Sequence, residues 1–184
     1  MKLFSAVPLT LLGLTLVSHS ANGQALKAGA GAAEIQTSAD MLPVEGYASQ
    51  HDPISSRVLL LDNGGLRIGI LVVDTPSIQD SFIDSWKAIL AKVAAVKPEN
   101  ALVIASHDTS APHVSSGSGP GAGGGPGGAP PSPAAVAHAK AFAQAVDTSV
   151  ESAASKALAT LQPVQLGFGL GTSRSEERRV GKEC

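Results

Sequence analysis

The sequence predicts an α/β fold with a mixed sheet, and three observations predict it. Two β-type apolar runs are joined by a glycine turn. An amphipathic helical stretch then leads to a third short apolar run. A long Ala-rich helix follows further along the chain. The first two runs are 57–62 (RVLLLD) and 66–74 (LRIGILVVD), and Asn63-Gly64-Gly65 between them supplies residues tolerant of positive φ. The second run is nearly continuously apolar, as expected of a strand covered on both faces. Asp80-Ser81 can cap a helix, along which Phe82, Trp86, Ile89, Leu90 and Val93 recur at helical spacing until Lys97-Pro98-Glu99-Asn100 ends it. Residues 101–105 (ALVIA) then read as a short buried strand. Strand, helix and strand with short connections form a right-handed βαβ unit. This unit sets Asp74 and Ser106-His107-Asp108 at the carboxyl ends of adjacent parallel strands, the edge where open α/β sheets bind ligands.

Before the hairpin, residues 28–52 are Gly/Ala-rich and read as a strand or two plus loop. After the third run, 115–133 is a low-complexity loop with eight Gly and five Pro. It holds a G-x-G-x-x-G at Gly119 to Gly124. No strand leads directly into that match and prolines surround it, so it reads as a lid or spacer rather than a nucleotide loop. Residues 134–161 form the Ala-rich helix, with Val136, Phe142, Val146, Val150, Ala153 and Leu161 near one side. Residues 164–169 resemble the start of another strand.

Both ends differ from this body. Lys2, an apolar run over 3–17 and small residues around Ala21 to Ala25 have the three-part form of a secretory signal peptide. The apolar run is shorter than the roughly 20 residues that span a bilayer. Residues 1–23 are therefore expected to be a cleaved leader, leaving a secreted or periplasmic protein with no transmembrane span. At the other end, seven charges crowd into residues 174–184. A solvated charged tail would have this composition, but the string resembles the translated start of a short-read sequencing adapter. It is expected to be a non-native tail, with 24–173 as the folded body.

The whole chain has 184 residues, a formal net charge of −2 and one cysteine, Cys184, which lies in that tail. One domain of ordinary size fits this length. The small charge gives no support to a nucleic-acid partner, and the cysteine count excludes a disulfide framework or a Cys-based zinc knuckle.

Histidines are the candidates for chemistry. His138 lies within the Ala-rich helix and reads as a partly exposed helical residue. His51, beside Asp52-Pro53, reads as a solvent-facing loop residue. His107 directly follows a strand, where a neutral imidazole can bind zinc or exchange a proton; a structural hydrogen bond is the equal alternative. Neither HExxH nor G-x-S-x-G occurs.

Five segments in order carry a resemblance: 27–35 (KAGAGAAEI), 46–48 (GYA), 56–59 (SRVL), 72–74 (VVD) and 105–112 (ASHDTSAP). Together they resemble the N-terminal catalytic domain of the neutral/alkaline non-lysosomal ceramidase family, over about residues 27–170. The resemblance implies that the chain is the incomplete N-terminal part of a larger catalytic domain. It implies a zinc cofactor and hydrolysis of the N-acyl amide of ceramide to sphingosine and a fatty acid, a lipid amide substrate met at a membrane surface. In the family the strand-end motif reads Thr-His-Thr-His-Ser-Gly-Pro, its first histidine a zinc ligand and its second at the reaction centre. His107 matches the first. Thr109 stands at the second, with Asp108 between them. Ser110 and Pro112 match, and Ala111 replaces glycine. His51 falls near a family histidine that lines the substrate site. The family's remaining ligands, a His, a Glu and a Tyr, belong to sequence beyond Leu170, so the chain alone is expected to be inactive. Two alternatives stay open: a non-catalytic relative that binds a ligand or partner, and a hydrolase of another amide or ester.

Overall fold

Five strands form one mixed sheet in the order β4-β3-β2-β1-β5 in the computed structural model, which describes residues 25–117 and 130–172. The elements are β1 (Lys27–Glu34), β2 (Ser55–Asp62), β3 (Arg67–Val73), α1 (Asp80–Ala94), β4 (Ala101–Ala105), α2 (Pro133–Ala159) and β5 (Gln162–Pro163), with short 3-10 turns at Ala39–Met41 and Pro98–Asn100. Pairing is antiparallel except for β3 with β4, which the α1 crossover makes parallel. The leader at 1–23, the Gly119 to Gly124 match and the charged tail lie outside the described residues.

The expected hairpin is β2–β3, with Asp62 opposite Arg67. Its loop is built by side chains: Asn63 Oδ1 accepts from the N–H groups of Gly65 and Leu66 at 3.1 and 2.8 Å, and Gly64 adopts φ +84°. Both helices pack on one face of the sheet. Leu60 and Leu71 from the strands, Trp86 and Leu90 from α1, and Phe142 and Val146 from α2 are all essentially solvent-free.

β1 is a strand despite poor β-formers because the helix needs it small. Gly29 and Gly31 face α2 so closely that a Cβ would sit 2.1 Å from the Ala157 carbonyl oxygen and 2.2 Å from that of Ala153, respectively. Side chains of α2 also occupy backbone groups of β1. The Thr160 hydroxyl accepts from Ala30 N–H at 3.0 Å and donates to Ala30 O at 2.9 Å, and Lys156 Nζ donates to Ala32 O at 3.0 Å. Past the two residues that pair with β5, these bonds satisfy the outward backbone groups of Ala30 and the Ala32 carbonyl.

Five details depart from the sequence reading. Gln79, not Asp80 or Ser81, occupies the N-cap of α1, without a side-chain cap bond, because Asp80 already has helical geometry. That helix ends at Ala94 rather than Lys97: Ala95 turns left-handed at φ +52°, and Arg67 Nη1 donates to the Ala94 carbonyl at 2.6 Å. β4 is not buried on both sides. Among the described residues it is an edge strand, and alternate side chains face away from the helices. β3 likewise buries only its helix-facing residues fully. At the C-terminal end, the strand falls on Gln162–Pro163 rather than on 164–169.

Candidate functional site

The parallel β3–β4 pair ends where the sequence places it, with Val73 opposite Ala105 and Ser106 N–H donating to Val73 O at 3.0 Å. The chain reverses at His107, whose φ of +61° is a left-handed conformation that costs a non-glycine residue roughly 1–3 kcal/mol. His107 is exposed, and its Nδ1 lies 3.0 Å from the carbonyl oxygen of Pro76. A carbonyl only accepts, so Nδ1 carries the proton. In the neutral ring Nε2 is then left with a free lone pair, the arrangement that prepares a histidine for a metal or a proton.

The loop after His107 is fixed from several sides. Asp108 Oδ1 accepts from Ser110 N–H at 2.9 Å, so its carboxylate builds the turn. Tyr47 donates its hydroxyl proton to the Thr109 carbonyl at 3.0 Å, and the buried Thr75 hydroxyl donates to Pro112 O at 3.1 Å. Glu45 Oε2 accepts from both the backbone N–H and Nδ1 of His113, at 2.8 and 3.0 Å. The turn carrying Glu45 and Tyr47 closes through mutual backbone bonds of Val44 and Tyr47.

Beside this loop opens a cleft of about 370 Å³. Leu42, Ile54 and Phe142 give it an apolar lining, while Gln50, His51 and Asp108 supply polar groups. His51 is almost fully exposed and pairs with Asp52 at 3.1 Å. His107 and Thr109 are not among the residues lining this cleft. The structure thus brings His51 and Asp108 together at one cleft and sets His107 on the same loop but outside it. His138 lies 3.0 Å from Pro43 O through Nδ1, the partly exposed helical position expected of it. The roles of Tyr47, Glu45 and the Pro76 carbonyl are not legible in the motifs, because each acts across a long sequence separation.

Asp74, 8% exposed, is the charged group buried closest to this strand end. Burial pushes its carboxyl up, but the Arg57 guanidinium at 2.8 Å and the N–H and hydroxyl of Ser55 outweigh it and hold the pKa below the usual carboxylate range. A carboxyl depressed in the folded state stabilises the fold fully above its unfolded pKa of about 3.9, and the contribution disappears as pH falls through the lower folded value. Asp62 has the same sign, through Gly64 N–H first and then Arg67. Urea unfolding is therefore expected to show stability constant from pH 7 to about 5 and falling below about 4. Asp74→Asn should be weaker at pH 7 and lose less on acidification.

Among the described residues no three His, Cys, Asp or Glu side chains cluster to hold a metal. A catalytic zinc takes about three protein donors plus an open position. His107 fits as one donor and the described residues do not supply the set.

Solved structures share this architecture. Neutral ceramidase from Pseudomonas aeruginosa aligns with 76% of the chain at a TM-score of 0.52 and 18% identity. The fold is ceramidase-like. A ceramidase complexed with C2 aligns equally well, with 17% identity. The chain spans 22% of the length of each of these ceramidases. No family model matches the chain, and no curated protein sequence matches it. No helix among the described residues is long and apolar enough to cross a membrane.

Proposed function

We propose that this chain is the N-terminal part of an exported, zinc-dependent amidohydrolase of the ceramidase type, cleaving the N-acyl amide of a lipid to an amine and a fatty acid. Residues 1–23 are its leader, and the native frame departs from this sequence after Ser173. The observation that carries the reading is His107: on a ceramidase-like sheet it stands at the carboxyl end of β4, with Nδ1 tied to Pro76 O and Nε2 free. His107 is assigned as one zinc ligand, the others coming from polypeptide beyond Leu170. When bound, zinc would supply an activated water and polarise the amide carbonyl. The apolar lining of the neighbouring cleft suits the aliphatic part of such a substrate, met at a membrane surface, and His51 on its rim suits the polar head.

Thr109 supports a second reading. Its hydroxyl cannot exchange protons near neutral pH as an imidazole does. A relative that keeps the fold and the metal but not the hydrolysis would show this substitution.

Reading the source DNA past the codon for Ser173 and expressing the extended protein tests both. About one zinc per chain, lost in His107→Ala together with at least the roughly 100-fold that losing an outer metal-site partner costs, is the expected result. Zinc without fatty-acid release from an N-acylsphingosine, restored by Thr109→His, would establish the second reading. Absence of zinc from the extended wild-type protein would overturn both.

A further inference from the structure

The face of the sheet opposite the helices is apolar, and none of the described elements covers it. Register places Ala30, Leu59, Ile70 and Leu102 in one row across four strands, all directed away from α1 and α2. Leu59 is 38% exposed and Leu102 51%, and in the next row Ile104 is 42% exposed. The single charged side chain among these rows is Arg57, and its guanidinium is already spent on Asp74. The alanines of β1 beside the larger residues of β2 and β3 leave a shallow trough of about 580 Å³ over this face. Strands whose outward residues are this apolar belong to sheets covered on both sides.

We infer that this face is an internal layer boundary, covered in the full-length protein by a second apolar layer from the polypeptide that follows the described fold. The inference rests on the ceramidase-type reading above. Two observations choose that occupant. Both ceramidases with this fold are much longer chains, of which it accounts for 22%. Four strands at about 4.8 Å spacing also present a face wider than one helix of roughly 10 Å diameter covers, so the covering layer is at least two elements wide. A short docking peptide does not meet that requirement.

Cysteine accessibility tests it. Leu59→Cys and Leu102→Cys are made separately in the 184-residue chain (with Cys184→Ser) and in the extended protein, with Asp84→Cys on α1 as the exposed reference. At micromolar concentration both face cysteines should react with maleimide as fast as the reference in the short chain. In the extended protein they should react more than 100-fold slower while the reference is unchanged. Equal reactivity in both proteins overturns the inference. So does protection of the short chain that grows with its concentration, which would assign the face to a second copy. Protection of the extended protein only on adding phosphatidylcholine vesicles overturns it too, in favour of a lipid surface. Zinc content measured on the same extended protein separates the two proposals: a protected face without zinc removes the metal assignment and leaves the layer, and zinc with an open face does the reverse.

Discussion

Replacing Gly31 with alanine is expected to unfold most of the protein. The added Cβ would lie 2.2 Å from the Ala153 carbonyl oxygen and 2.5 Å from the Ala157 nitrogen. These are backbone atoms of a 27-residue helix, so no rotamer change relieves the clash. α2 must lift from β1, which uncovers Ala153, Ala154 and Ala157, all solvent-free in the native packing. Ordinary overpacking costs about 1–3 kcal/mol where side chains can adjust. Contact with helix backbone should exceed that, against a total stability of about 5–15 kcal/mol. Urea unfolding followed by far-UV circular dichroism measures it, with Gly167→Ala as the control. That position has no atom within 4 Å of its added Cβ and should change stability by less than about 0.5 kcal/mol.

Trp86→Ala should cost about 3–5 kcal/mol, the range for emptying a large aromatic site. Trp86, on α1, is fully buried, packs on Phe82 with ring centroids 5.8 Å apart, and donates from Nε1 to Asp147 Oδ1 of α2 at 2.7 Å. The substitution therefore opens a cavity and removes the donor that ties α1 to α2. Trp86→Phe separates the two effects by keeping most of the ring volume while leaving the carboxylate without this partner. It should cost about 1–3 kcal/mol. A loss for phenylalanine as large as for alanine would mean that the hydrogen bond, not the packing, dominates the site.

The parts of the fold legible in the sequence are those with a strong local period. β2 alternates buried and exposed residues, the Asn-Gly-Gly turn carries its own geometry, and α1 repeats its apolar residues at helical spacing. β1 was legible only as a strand without bounds in Gly/Ala-rich chain, because its Gly and Ala record the approach of a helix more than a hundred residues later rather than any local preference. The outward faces of β3 and β4 misled for a related reason: their apolar composition describes a sheet covered on both sides, and only one cover is among the described residues. Of the candidate site, the strand-end position of His107 followed from topology alone. The Pro76 carbonyl that sets its tautomer, and the Tyr47 and Glu45 contacts that hold its loop, depend on pairings 31 to 68 residues apart. No motif spacing encodes these.

The union of β1 with α2 also dictates an order of events during synthesis. The bonds between Ala30 and Thr160 join residues 130 positions apart. β1 can pair with β2 as soon as the hairpin has emerged, yet its glycine-lined side has nothing to rest on until the far end of α2 is made. Loop closure of that length carries its entropic cost before the contacts repay it. The first strand to leave the ribosome is thus among the last to be completed, and a nascent chain halted before residue 160 holds a sheet with one bare flank for a chaperone to shield.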